Sequence, residues 1–108
     1  MSATVLVTGA TGTVGRCLLP ILADRGVPVR ALVRDVERAR LLFTDLDAEL
    51  VVGDFSQPSS LADAARDCER IFLLTTDHPR QIEFENNVLI AARGAGVRRI
   101  VKLSSADA

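Results

Sequence analysis

The chain has 108 residues, 48% of them hydrophobic and 25% charged, with a formal net charge of −1. That length fits one globular domain around one core, able to bury roughly 60–70% of the unfolded surface without a metal or disulfide staple. Balanced charge leaves no basic footprint for nucleic acid, and no apolar run approaches the ~20 residues of a membrane span. Met1-Ser2-Ala3 leads straight into a strand-like run, without the charged and apolar layout of a secretory signal, so a cytoplasmic protein is expected. Cys17 and Cys68 lie in different elements and match no metal spacing; both read as reduced packing residues, and no metal ligands are assigned.

In chain order, a short β-branched run at Thr4–Thr8 predicts the first strand, and helical spacing over Val14–Arg25 predicts the first helix, with Gly26 as its stop signal. Pro20 removes one backbone hydrogen bond from that helix and predicts a kink, not a break. A second strand at Val29–Val33 leads to Arg34 and Asp35 and then to a helix over Val36–Thr44. A third strand, Glu49–Val52, precedes "GDFSQPSSL" at 53–61 and a helix over Ser59–Arg66, started by Ser59 or Ser60. The fourth strand, Arg70–Leu74, is followed by "LLTTDHP" and a long helix over Pro79–Ala95 stopped by Gly96. Its apolar positions Ile82, Val88, Leu89, Ala91 and Ala92 are expected to face the sheet, with Asn86 and Asn87 as interruptions. Arg99–Leu103 is the fifth strand. The order βαβαβαβαβ predicts an α/β fold with a doubly wound parallel sheet, because right-handed crossovers return each helix across the sheet.

The most informative stretch is "VTGATGTVGR" at 7–16, where the first strand turns into the first helix. In such a turn one glycine allows a sharp reversal, a second lets the backbone approach a pyrophosphate, and a third permits close packing. Gly9, Gly12 and Gly15 fit these roles, and the helix N–H groups and dipole near Thr13 favour an anion. Gly9, Thr11, Gly12, Thr13, Val14 and Gly15 are therefore the cofactor-binding candidates of this loop. The spacing is Gly-x-x-Gly-x-x-Gly, one residue longer than the common dinucleotide fingerprint. A tight turn that binds nothing is the alternative.

"VLVTGATGTVGRCLLPILADRG", "VRALVRD", "VVGDFSQPSSL" and "AARGAGVRRIVKLSS" resemble, in the same order, the blocks of the short-chain dehydrogenase/reductase superfamily, in its atypical, NmrA-like and NAD(P)H-binding branch. The resemblance covers essentially the whole chain and implies a Rossmann sheet with strand order 3-2-1-4-5. Members of that family usually continue for well over a hundred further residues, so an N-terminal half of a longer protein is expected.

Cofactor choice falls to the end of the second strand. NAD-specific relatives place an acidic side chain there; this chain has Arg34, whose planar fork suits a 2′-phosphate, with Arg38 or Arg40 as added charge. NADP is favoured, NAD being possible; the alternative is that Arg34 is a solvated strand-end charge, while Asp35 caps the next helix in either case. By the resemblance, Asp54 accepts from the adenine amino group and Phe55 lines the adenine pocket, and Leu74, Thr75 and Thr76 pass over the cofactor at the carboxyl ends of the strands. Asp54 alternatively organises its own loop through local hydrogen bonds. The resemblance also implies that an asparagine, here best matched by Asn87, ties the fourth helix to the neighbouring strands or a bound water; an exposed face is the alternative.

No catalytic residue is assigned. His78, the only histidine, has no carboxylate to orient it and reads as solvated. Ser104 and Ser105 align with strand-end serines of the family, yet packing or strand termination is the expected role, because the chain has no tyrosine and Lys102 is its only lysine. A Tyr-x-x-x-Lys pair is thereby excluded from these residues. The fifth strand is expected at a sheet edge, covered by a further segment of a longer parent or by a second copy in a homodimer, or left exposed. Two functions follow from the resemblance: the NADP-binding part of an oxidoreductase acting on a small carbonyl, quinone, flavin or imine, or a non-catalytic NAD(P)-sensing module.

Overall fold

The computed structural model describes residues 4–10, 12–44, 46–75 and 79–104. In chain order they form β1 (Thr4–Val7), α1 (Thr13–Asp24), β2 (Val29–Val33), α2 (Val36–Leu42), β3 (Glu49–Val52), α3 (Pro58–Ala65), β4 (Cys68–Thr75), α4 (Gln81–Ala95) and β5 (Arg99–Ser104). All neighbouring strands pair in parallel, in the order β3-β2-β1-β4-β5. The expected doubly wound Rossmann topology is present. The first crossovers wind outward from β1 to β3, and the chain then returns to lay β4 on the other side of β1.

Local chemistry sets where the helices begin and end. The Asp35 carboxylate accepts from the Arg38 N–H at 3.1 Å, a side-chain cap that starts α2. α1 runs through Pro20 without ending there. α4 closes on Gly96 in the left-handed region at φ 75°, with the Val97 N–H donating to the Ala92 carbonyl at 3.0 Å. At the other end of the sheet from the strand-to-helix turns, the Arg30 guanidinium donates through Nη1 to the carbonyls of Ala64 (2.8 Å) and Arg66 (2.6 Å) and to Cys68 Sγ (3.3 Å). Its Nε also donates to Glu49 Oε1 at 3.0 Å. One half-buried cation thus fastens β2 to the end of α3 and to the start of β4.

Alternation along the strands divides the core into two layers. Leu6, Leu32, Ile71 and Leu73 point to the face covered by Leu61, Ala64 and Ala65 of α3 and by Val88, Ala91 and Ala92 of α4. Val5, Val7, Val29, Ala31 and Val33 point to the other face, against Leu19 of α1 and Ala39 of α2. Full burial of a Leu, Ile or Val side chain contributes about 1.5–3 kcal/mol each, so these layers supply most of the drive for folding. Among the described residues no helix is long and apolar enough to cross a membrane.

Several expectations are corrected. Ile82 and Leu89 do not face the sheet: they are 77% and 47% exposed. The inward stripe of α4 is instead Phe84, Asn87, Val88, Ala91 and Ala92, whose spacing fits a 3.6-residue turn better than the set that includes Ile82. Cys68 is a buried packing residue, as read, and burial pushes its thiol up from the usual range; Cys17 is exposed. α3 begins at Pro58, the favoured first-turn position for proline, so Ser59 and Ser60 lie inside it and do not start it.

Candidate functional site

β1, β2, β3 and β4 all release their chains at one edge of the sheet, and the glycine loop lies at the point where strand order reverses between β1 and β4. Gly9 adopts φ 64°, and a Cβ there would lie 2.5 Å from the Leu74 carbonyl oxygen. The turn is thereby pressed directly against the end of β4. A Cβ on Gly15 would lie 2.6 Å from the Ala10 carbonyl oxygen and nearer still to that of Gly9, so the third glycine packs the helix against the turn itself. Gly12 differs from both. It precedes α1 with extended backbone and no side-chain cap, and a Cβ there would meet only the Gly9 oxygen, at 3.3 Å. The missing side chain at Gly12 leaves the helix N-terminus open to an approaching anion.

Thr8, which the sequence reading passed over, supports this turn from below. It is fully buried; its Oγ1 accepts from the Leu74 N–H at 3.0 Å and lies 3.4 Å from the carbonyl oxygens of Phe72 and Leu74. A polar residue directly after an apolar strand was the available signal, but its partners stand 64 and 66 residues away.

Arg34 follows β2 as an exposed cation, and Asp54 follows β3 beside it. Asp54 Oδ1 accepts from the N–H of Ser56 (2.8 Å) and from its hydroxyl (2.7 Å), so the carboxylate does organise its own loop. These two bonds hold its pKa below the ordinary value of 3.8; partial desolvation opposes them, and the guanidinium charges of Arg34 and Arg80 reinforce them. Ser60 Oγ braces the same loop, accepting from the Asp54 N–H at 3.0 Å and standing 2.7 Å from the Gln57 carbonyl oxygen. Phe55 is half-buried, its ring stacked on Phe84 with centroids 5.7 Å apart. Asn87 Nδ2 donates to the Phe55 carbonyl at 2.8 Å, so it is a tie and not part of an exposed face, but to the loop after β3 and not to a strand; Asn86 is exposed.

The structure thus brings Gly9, Gly12, Gly15, Arg34, Asp54, Phe55 and Leu74 to the carboxyl edge of the sheet, together with the backbone of Thr13, Val14 and Thr75. Thr11, Thr76, His78 and Ser105 lie outside the described residues. Ser104 ends β5 opposite Thr75. An open helix N-terminus, a cation, a carboxylate acceptor and an aromatic ring along one edge match the needs of a long anionic ligand with a heteroaromatic end.

A family profile described as NAD(P)H-binding matches residues 9–108. The chain belongs to the NAD(P)H-binding family. A (4-alkanoyl-5-oxo-2,5-dihydrofuran-3-yl)methyl phosphate reductase of Streptomyces griseus is 45% identical over 100 residues, covering 93% of this chain and 34% of that protein. An NAD(P)H azoreductase of Xenophilus azovorans is 33% identical over 97 residues, covering 90% of this chain and 34% of its own length. Among solved structures, triphenylmethane reductase of Citrobacter sp. complexed with NADP(H) has a TM-score of 0.78 at 35% identity, covering 92% of this chain and 36% of that one. These NAD(P)H-binding family neighbours are of the NmrA-like, atypical short-chain dehydrogenase/reductase kind, and what is matched is their N-terminal part. The chain spans about a third of the length of these relatives.

Proposed function

We propose that residues 1–108 form one domain that holds NADP(H) and that it serves as the dinucleotide-binding part of a reductase. The observation that carries this reading is the Gly12 opening at the N-terminus of α1, flanked on the same sheet edge by Arg34 and Asp54. The pyrophosphate lies at the N-terminus of α1, where Thr13 and Val14 offer helix N–H groups and the dipole; the missing side chain at Gly12 admits it, Gly9 and Gly15 close the turn behind it, and Thr11 is assigned to the same loop. Arg34 pairs with the 2′-phosphate, whose charge and fork-matching oxygens an arginine favours. Asp54, kept ionised by Ser56, accepts from the adenine amino group, and Phe55 lines the ring. Leu74, Thr75 and Thr76 border the nicotinamide side. The bound dinucleotide supplies hydride; this chain's residues bind and orient it. Relatives named as reductases support the reductase reading, and the acceptor in the complete protein is read from the family resemblance as a small carbonyl, quinone, flavin or imine.

Titration calorimetry of the wild-type chain and of Arg34→Ala with NADPH and NADH tests the assignment. A charge-assisted hydrogen bond contributes about 1.5–3 kcal/mol, so Arg34→Ala should lose at least about tenfold in NADPH affinity with NADH unchanged. Equal losses for both would overturn the 2′-phosphate role. A folded wild-type chain that binds neither would overturn the whole reading.

A further inference from the structure

Phe84 and Asn87 stand three residues apart on one edge of α4, and Arg80, the residue that caps its start, stands four before Phe84. The Arg80 charge acts on Asp54, and Phe84 and Asn87 touch the loop that carries Asp54 and Phe55. Asn87 fixes its backbone through the Phe55 carbonyl, and Phe84 stacks on the Phe55 ring with 21° between the planes. Arg80 lies over Phe84, its guanidinium carbon 5.0 Å from the ring centroid, and is itself held by the Glu83 carboxylate. The fully buried contacts that dock α4 are Val88, Ala91 and Ala92, further along the same inward stripe. Phe84 and Asn87 are the half-buried part of that stripe, the part that faces the loop.

We propose that the Arg80–Phe84–Asn87 stripe is a positioning element for the adenine end of the dinucleotide, and that Phe84 sets adenine recognition by fixing how Phe55 and its loop are presented. This inference rests on the NADP(H) reading above. Phe55 also packs against the core and Asp54 is held by Ser56 and Ser60, so loss of the Phe84 ring removes the aromatic support on one side of Phe55 and changes how its ring is presented relative to the fixed Asp54 acceptor. Phe84 touches neither phosphate nor nicotinamide in this account and acts only through Phe55.

The test uses the full 108-residue chain and three probes: NADPH, its hypoxanthine analogue in which a carbonyl replaces the adenine amino group, and 2′,5′-ADP. Phe84→Leu retains apolar bulk but removes the ring, and Phe84→Tyr retains the ring. Phe84→Leu should weaken 2′,5′-ADP roughly tenfold and bring the adenine-over-hypoxanthine affinity ratio towards one, while Phe84→Tyr keeps wild-type values. Asn87→Ala, which removes one hydrogen bond and no core contact, should move the ratio in the same direction. An unchanged ratio in Phe84→Leu, whether or not its thermal midpoint falls, would overturn the proposal, because a merely structural role alters stability without altering base preference. Failure of the wild-type chain to bind NADPH at all would instead overturn the cofactor reading on which the inference rests.

Discussion

Gly12 and Gly15 sit three residues apart in the same turn, yet their replacement should have opposite consequences. At Gly15 an alanine Cβ would stand 2.6 Å from the Ala10 carbonyl oxygen and 2.7 Å from its carbon, and closer to the Gly9 oxygen. These are backbone atoms and cannot swing aside. The helix-propensity gain of Gly→Ala is about 1 kcal/mol, whereas forcing atoms into a packed site costs about 1–3 kcal/mol and here belongs at or above the top of that range. A net loss of about 2 kcal/mol is expected. At Gly12 the added Cβ would meet one oxygen at 3.3 Å, and φ −78°, ψ 178° is open to any residue. Gly12→Val should therefore stay within about 1 kcal/mol of wild type, because the small loss of N-cap preference is offset by reduced freedom of the unfolded chain. Its side chain instead fills the space before the helix N-terminus, and both NADPH and NADH should bind at least about tenfold more weakly. With a urea slope of about 1–3 kcal/mol per molar, Gly15→Ala should shift the unfolding midpoint down by about 1 M and Gly12→Val by much less. Equal midpoint losses, or undiminished dinucleotide binding by Gly12→Val, would refute this division of roles.

Two further outcomes follow from charged groups. Arg30→Met removes charge-assisted bonds to the Ala64 and Arg66 carbonyls and should cost about 2–3 kcal/mol in urea unfolding, with little of it from the exposed Glu49 partner; NADPH affinity should be unchanged, since Arg30 lies away from the carboxyl edge. Asp54 has a folded-state pKa below its ordinary value of 3.8, so its stabilising contribution is complete above about pH 4 and is lost as pH falls through the lower folded value. Asp54→Asn should accordingly flatten the decline of the urea midpoint below about pH 4; an acid-side slope identical to that of wild type would show that Asp54 is not depressed in the folded protein.

The fold was legible because its signals are local. Runs such as Val29–Val33 and Glu49–Val52 have the expected limits, and the glycine spacing locates the first turn without reference to distant residues. Helix limits move by a residue or two where capping chemistry competes, as at Pro58, which draws the start of α3 ahead of the serines. The orientation of α4 was harder to read, because Ile82 and Leu89 extend the apolar stripe by one helical edge and only packing decides which edge is covered. Phe84, an aromatic residue between two glutamates, gave no sign that it would stack on Phe55, 29 residues earlier. Arg30 was equally silent: a charge inside a β-branched run reveals nothing of carbonyls 34 and 36 residues further on.

Thr8 shows why the candidate site depends on such silent residues. The β1–β4 ladder ends at Val7↔Phe72, and beyond that pair the two chains diverge, one into the glycine turn and the other towards Thr75. Divergence at a reversal of strand order opens the crevice that a ligand needs, but it also strips partners from buried backbone groups, at about 1–3 kcal/mol for each group left unsatisfied. The Thr8 backbone N–H donates to the Phe72 carbonyl at 3.0 Å, and its hydroxyl then serves the Leu74 N–H as one more rung, made by a side chain where the main chain has turned away. That rung holds Leu74 against Gly9, and contact with Leu74 leaves no room for a side chain on Gly9. The open helix N-terminus at Gly12 is thus the upper end of a chain of constraints that starts with a buried threonine, and the glycine motif is only its visible part.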